Sequence, residues 1–307
     1  MAIQPYPRKG DFLDETSLEP HHYIISKEEL RNIIIDAIYY ANRKSSRAIL
    51  NIPDTATDKE IEKQYKKEGS KLFAYFVEYC GDPASTAFQC YKRSYRDVAK
   101  EQFHNRTLQK ERMNSGWRYQ AIAKDAAARS KRFITVSDIG TLEADFNAVI
   151  RLRNTSDKLT IYVSVKNRSK TMGGQDWPKA IIALETTAIN DRNRDGSYIC
   201  VFGITMEGGK RTIRRQRMTK IPFSNNTEIW KSDFFWPFFT NMKYDDIVKN
   251  VLNVLIDTQQ NELINYHIPD ELIESFGDSC RKNGLLDEDG YFNDALRLVN
   301  LFCGCLR

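Results

Sequence analysis

The sequence holds no apolar run long enough to cross a bilayer. Its opening stretch, MAIQPYPRKGDFLDE, has neither the hydrophobic segment of a signal peptide nor a basic amphipathic helix. These absences point to a soluble chain working in the cytoplasm. The six cysteines (Cys80, Cys90, Cys200, Cys280, Cys303, Cys305) follow no framework spacing, so free, buried thiols are expected rather than disulfides. Histidine is scarce, and none of the four stands near the close pair Cys303 and Cys305, which leaves that pair without the partners of a zinc site. A large excess of one charge is also missing: the net charge of +5 does not by itself call for nucleic acid.

What is there is 307 residues, enough for one large domain or two ordinary ones with a real core. Capping-box pairs, Ser26 with Glu29 and Thr57 with Glu60, open two periodic apolar segments, so the first third reads as mainly helical. Gly81-Asp82-Pro83 marks a break. A polar, basic stretch then runs to Gly116 and reads as an exposed helix or arm. From Gly116 the pattern changes to an Ala-rich helix, WRYQAIAKDAAARS, and three strands, RFITVSDIG, ADFNAVIRLR and DKLTIYVSVK. After a flexible loop, Asp176 reads as an N-cap and Pro178 as a first-turn residue of the helix WPKAIIALETTAIN, followed by the buried strand SYICVFGIT. This order predicts an α/β fold, a mixed sheet between helices. The expected divisions are a helical region 1–115, a core 116–260 and a helical region 261–307, with no clear linker between them.

Two residues on neighbouring strands could do chemistry. Asp145 opens the second strand and Lys166 ends the third, and strands joined by a turn can bring such residues to one place. Lysine is almost never fully buried unless paired or working, so Lys166 is either an edge lysine in solvent or one held in a site. A carboxylate that binds Mg²⁺ beside a lysine that orients a water suits phosphodiester hydrolysis. Separately, GGKRTIRRQRMTK, residues 208–220, carries six cations and no acid, which suits either phosphate contact or a solvated face.

EADFNAVI, a turn and then IYVSVK, with a helix before and a helix after, resemble the core of PD-(D/E)xK nucleases over about residues 116–205, and among them type II restriction endonucleases. Two features depart from that pattern: no proline precedes Asp145, and Ser164 stands where the motif has an acid. Some restriction endonucleases are similar in carrying Ser-x-Lys and recover the acid from the following helix. On that resemblance the replacement is Glu185, or Asp176, with Glu143 or no substitute as the remaining possibilities. The resemblance implies a Mg²⁺-dependent, site-specific double-stranded DNA endonuclease leaving 5′-phosphates, a homodimer or higher homo-oligomer, accompanied by a DNA methyltransferase. Asp145 and Glu185 (or Asp176) would hold metal, Lys166 would position water and Ser164 would hydrogen-bond nearby. DNA contacts would come from Asn167, Arg168, Lys170, Lys210, Arg211, Arg214, Arg215 and Arg217, and from the basic run Arg106 to Arg132. Gln120 stands where family members often carry a helix glutamate. The alternatives are a non-cleaving DNA-binding protein of the same fold and a less specific repair or defence nuclease. Pro53-Asp54 reads as a turn, Asp138 as a weaker metal candidate, and His21-His22 has no partner for a histidine-based nuclease.

Overall fold

The computed structural model describes residues 6–44, 56–139, 141, 143–169, 176–257 and 268–304. It divides into two compact units. The first comprises residues 1–44 and 114–261; the second comprises 45–113 and 262–307. Two of its cuts, after 113 and after 261, fall beside the expected 115 and 260, but the pieces are grouped differently. Residues 8–44 join the sheet unit because their apolar side chains and their hydrogen bonds are spent there, and 262–307 complete the core of 45–113.

In the first unit a small hairpin, β1 (Arg8–Lys9) and β2 (Phe12–Leu13), precedes helix α1 (Lys27–Lys44). Helix α1 starts where the sequence expects, with the Ser26 amide donating to Glu29 Oε2 at 3.0 Å. The sheet has six strands in the order β3 (Thr135–Ser137), β4 (Phe146–Arg151), β5 (Lys158–Lys166), β6 (Ser197–Ile204), β8 (Thr227–Lys231), β7 (Arg211–Thr212). Strands β3, β4 and β5 run antiparallel, and β5, β6 and β8 run parallel. The β5-to-β6 connection carries helix α5 (Asp176–Asn190), as a parallel crossover requires. After β8 come α6 (Ser232–Thr240) and α7 (Tyr244–Asp257).

Both faces of the sheet are covered, which is why β5 and β6 read as near-continuous apolar runs. One face buries Ile161, Val163, Ile199 and Val201 with residues of α1, α6 and α7, including Ile34, Phe239 and Val251. The other buries Tyr162, Cys200 and Phe202 against Trp177, Ile181 and Leu184 of α5. Gly203 allows α6 to approach: a Cβ there would meet the Phe235 ring at 2.3 Å.

The second unit is helical. Its elements are α2 (Asp58–Glu78), α3 (Pro83–Cys90), the first part of α4 (Tyr95–Arg129), α8 (Asp270–Lys282) and α9 (Ala295–Phe302). Helix α4 passes through Gly116 without a break, so the stretch read as a separate arm and the Ala-rich segment are one helix of 35 residues. A single glycine inside a helix costs only about 1 kcal/mol, too little to end one held by packing on both sides. Leu72, Phe76, Phe103, Phe276 and Phe292 form this unit's core. Gly69 sets the closeness of α2 to α8, since a Cβ there would meet the Leu272 carbonyl oxygen at 2.3 Å. Among the described residues, no helix is long and apolar enough to cross a membrane.

Candidate active site

Asp145 lies immediately before β4, whose first residue pairs with Val163 of β5. Its amide donates to the Val163 carbonyl at 2.8 Å, and its Oδ2 accepts from the Val165 amide at 2.5 Å. The two bonds bracket Ser164, which is 2% exposed. From α4, Gln120 Nε2 donates to Asp145 Oδ1 at 2.8 Å. Three segments that the sequence associates with the core therefore meet at one carboxylate: the helix before the sheet, the start of β4 and the end of β5.

Lys166 is the last residue of β5 and half-buried. Its Nζ makes no hydrogen bond or ion pair with a described residue, and its carbonyl accepts from the Thr205 amide at 3.0 Å. The backbone is thus held independently of the ammonium. The chain beyond is pinned too. Met206 N donates to Asn167 O at 3.0 Å, and Glu207 Oε2 accepts from the amide of Ser169, also at 3.0 Å, and from its hydroxyl. Glu207 Oε1 accepts from Lys231 Nζ at 2.6 Å. These bonds, led by that from Lys231, hold the Glu207 carboxyl at about 2. Glu207 and Lys231 were not anticipated. The signal was an acid one turn beyond a buried strand and a lysine ending the next, and neither position belongs to a motif.

Glu185 is not brought to this place. Its Oε1 accepts from Thr227 Oγ1 at 2.8 Å and from Ser224 Oγ. Thr227 pairs with Cys200, whereas Lys166 pairs with Ile204, which in turn pairs with Lys231. Four residues of strand separate the two levels, about 13 Å at ~3.3 Å per residue. Glu185, expected to replace the acid absent at Ser164, instead engages two hydroxyls through Oε1, at and just before the start of β8. Asp176 is the first residue of α5. Glu143 is exposed, two residues before Asp145. Among the described residues, no three His, Cys, Asp or Glu side chains are grouped to hold a metal ion.

The expected DNA contacts separate into two sets. Arg211 is committed inside the fold: Nη1 donates to the Leu13 carbonyl at 2.8 Å, lies 3.8 Å from Glu228 Oε2, and the guanidinium stands 4.2 Å from the Phe234 ring centre. Arg215 donates to Asp11 and to the Lys220 carbonyl at 3.0 Å. Arg106, Arg118 and Arg132 are buried, Arg132 donating to the carbonyls of Glu19 and Phe238. Arg106, Arg118, Arg132 and Arg211 are thus held within the fold, whereas Arg215 is exposed and its pairing with Asp11 lies at the surface. Lys210, Arg217 and Arg168 are exposed, and Arg214 is half-buried. Asn167 Nδ2 donates weakly to Ser115 Oγ at 3.4 Å, with its Oδ1 buried and unpartnered. Lys170 lies outside the described residues.

The remaining expectations for polar side chains resolve locally. Asp138 accepts from Lys124 at 3.0 Å. His21 Nε2 lies 3.0 Å from the carbonyls of both Pro237 and Phe238 near the end of α6. Burial and neighbouring Arg132 lower its pKa to about 4. The described cysteines are free thiols, and burial raises that of Cys200 well above the usual range.

No protein-family model matches this chain, and no curated protein sequence matches it significantly. The class defined by fold and site is a mixed α/β protein with a helix-flanked six-stranded sheet, carrying a carboxylate and a lysine at one strand end.

Proposed function

We propose that the chain is a Mg²⁺-dependent, site-specific endonuclease of double-stranded DNA, of the PD-(D/E)xK kind in its Ser-x-Lys form, acting as a homodimer and leaving 5′-phosphates. One observation carries this reading. The Asp145 carboxylate is bonded to the main chain of β5 one residue before Lys166, and Gln120 orients it from α4. A solvated surface aspartate has no reason to be gripped from two elements at the end of the strand that carries Lys166.

Mg²⁺ takes oxygen ligands, commonly one or two carboxylates with waters and substrate phosphates. Asp145 fits that chemistry as one ligand, and Asp176 at the head of α5 is the candidate for a second. When bound, the ion would neutralise phosphate charge and acidify a water. The chain's own groups do the rest. Gln120 fixes the plane of the Asp145 carboxylate. Lys166, with no acid paired to it among the described residues, donates to a phosphate oxygen or the attacking water and offsets charge that builds in the transition state. Exposed Arg168, two residues further on, would contact the phosphate backbone.

The position of Glu185 favours a second reading, in which the same surface binds DNA without cutting it. Incubating the protein with plasmid and phage DNA, in Mg²⁺ and then in EDTA, separates the two. Discrete fragments that vanish in EDTA support the first reading, a smear indicates a less specific nuclease, and a gel shift without cutting supports the second. Neither shift nor cleavage on any duplex would sink both.

A further inference from the structure

Between β7 and β8 the chain folds back as an arm that the proposed cleavage chemistry does not use. Phe223 N donates to Arg214 O at 3.0 Å, Gln216 N to Ile221 O at 2.9 Å and Lys220 N to Gln216 O at 3.1 Å. Arg215 bridges Pro222 in antiparallel fashion, and Lys220 takes φ 58° to close the tip. The tip carries Met218, 93% exposed, more than any other large apolar residue described. Ile221 and Phe223 behind it are 58% and 38% exposed. Arg214, Arg217 and Lys220 are interleaved with them, and no acid occurs from Gly208 to Thr227.

A single exposed apolar side chain needs no account. Three on one short arm among cations do, and the charge decides between the partners that apolar surface could seek. A second copy of the arm would bring like charges together, whereas a polyanion is attracted by the cations and must then offer the methionine an apolar place. Duplex DNA offers one between stacked bases, reached from the minor groove, where proteins insert Met, Leu or Phe wedges beside Arg and Lys.

We propose that residues 214–223 form a DNA-deforming arm that lies in the minor groove and inserts Met218 into a base step, with Arg217 and Lys220 holding the flanking phosphates. This rests on the DNA-binding part of the proposed function and adds a mode of recognition to it. Pyrimidine–purine steps unstack most easily, so the arm prefers sequences with a TA or CA step under its tip without touching a base edge. Its base lies near the Thr227 level of the sheet, so the step it opens is not the one cut at Lys166.

The test uses the full chain in EDTA and a duplex with 2-aminopurine at a TA step, reading binding by anisotropy and unstacking by fluorescence. Wild-type protein is expected to raise the fluorescence several-fold. Met218→Ser, a change at a fully solvated position that leaves folding unaffected, is expected to abolish the rise while still binding. Arg217→Ala and Lys220→Ala are each expected to lower the salt slope of log K by about 0.9. Excess netropsin, a minor-groove ligand, is expected to suppress the rise. Binding without a rise, or a rise unchanged in Met218→Ser or by netropsin, overturns the wedge and leaves DNA binding intact. No binding at all overturns both. Self-association lost in Met218→Ser, with no rise on any duplex, assigns the arm to a second copy instead.

Discussion

Asp145 and Lys166 are ordinary residues in extraordinary company. The aspartate spends one oxygen on a main-chain amide and the other on Gln120, and Lys166 Nζ makes no hydrogen bond or ion pair with a described residue. Holding a carboxylate in place at the end of the strand that carries such a lysine favours a function that needs the ammonium later. Lys166→Ala should therefore lower the rate of plasmid cleavage by about 10²-fold or more, the usual cost of removing one electrostatic contact to a transition state. Binding to the same DNA in EDTA should persist. Arginine should not rescue it, because a planar fork replaces a compact point charge. Equal cleavage by wild type and Lys166→Ala would remove this strand end from the chemistry. Glu185→Gln provides the matching control: with its carboxylate held by Thr227 and Ser224, it should leave cleavage at the wild-type level. A collapse of activity in that variant would return Glu185 to the site.

Strand β5, its neighbours and α5 were legible in the sequence because buried parallel strands are apolar throughout and the intervening helix announces its start with Asp176 and Pro178. That Asp145 meets the end of β5 was legible from the hairpin between the two strands, which is a local fact. Glu185 could not be placed, because the hydroxyls that engage it, Ser224 and Thr227, lie about forty residues away and no helical periodicity encodes them. At Gly116 the composition changes and the units divide nearby, yet the helix itself continues. Glu207 illustrates the same limit at the level of elements, since it ties the end of β8 to the segment after β5.

Its acidity yields a pH prediction. The folded value of about 2 lies below the ordinary 4.5, so between those pH values the unfolded chain binds more protons and stability rises with pH. The contribution is complete above about 4.5 and is lost as pH falls through about 2. Acid unfolding followed by tryptophan fluorescence should show a smaller loss across that window in Glu207→Gln than in wild type. Curves of identical slope would mean the latch does not hold in solution. Glu228, by contrast, is buried, and burial raises its pKa. It accepts from the Leu13 amide at 2.5 Å and from Trp230 Nε1 at 2.7 Å. Glu228→Ala strands both donors, and each unsatisfied group costs about 1–3 kcal/mol, which urea unfolding would measure.

At the scale of the molecule, the chain leaves the sheet unit after residue 44, builds most of a helical unit, returns through α4, and comes back at residue 262 to finish it. Each unit has its own apolar core, with no buried residue shared between the clusters. All four tryptophans, Trp117, Trp177, Trp230 and Trp236, belong to the sheet unit, so their emission reports on that unit alone, while far-UV circular dichroism also sees the helices of the other. Phe276 is fully buried in the helical unit, with ring centres 5.8 Å from Phe76 and 5.9 Å from Phe73. Phe276→Ala removes that packing and should destabilise its unit by about 3–5 kcal/mol. In urea, the dichroism transition should then split, with an early phase absent from the tryptophan curve, whose midpoint stays at the wild-type value. Two separate cores require that outcome, because the cavity is opened in one of them and the reporters sit in the other. Should both curves shift together, the units unfold as one cooperative body, and α4, the helix that carries residues of both, becomes the element to examine by substitution at Gly116.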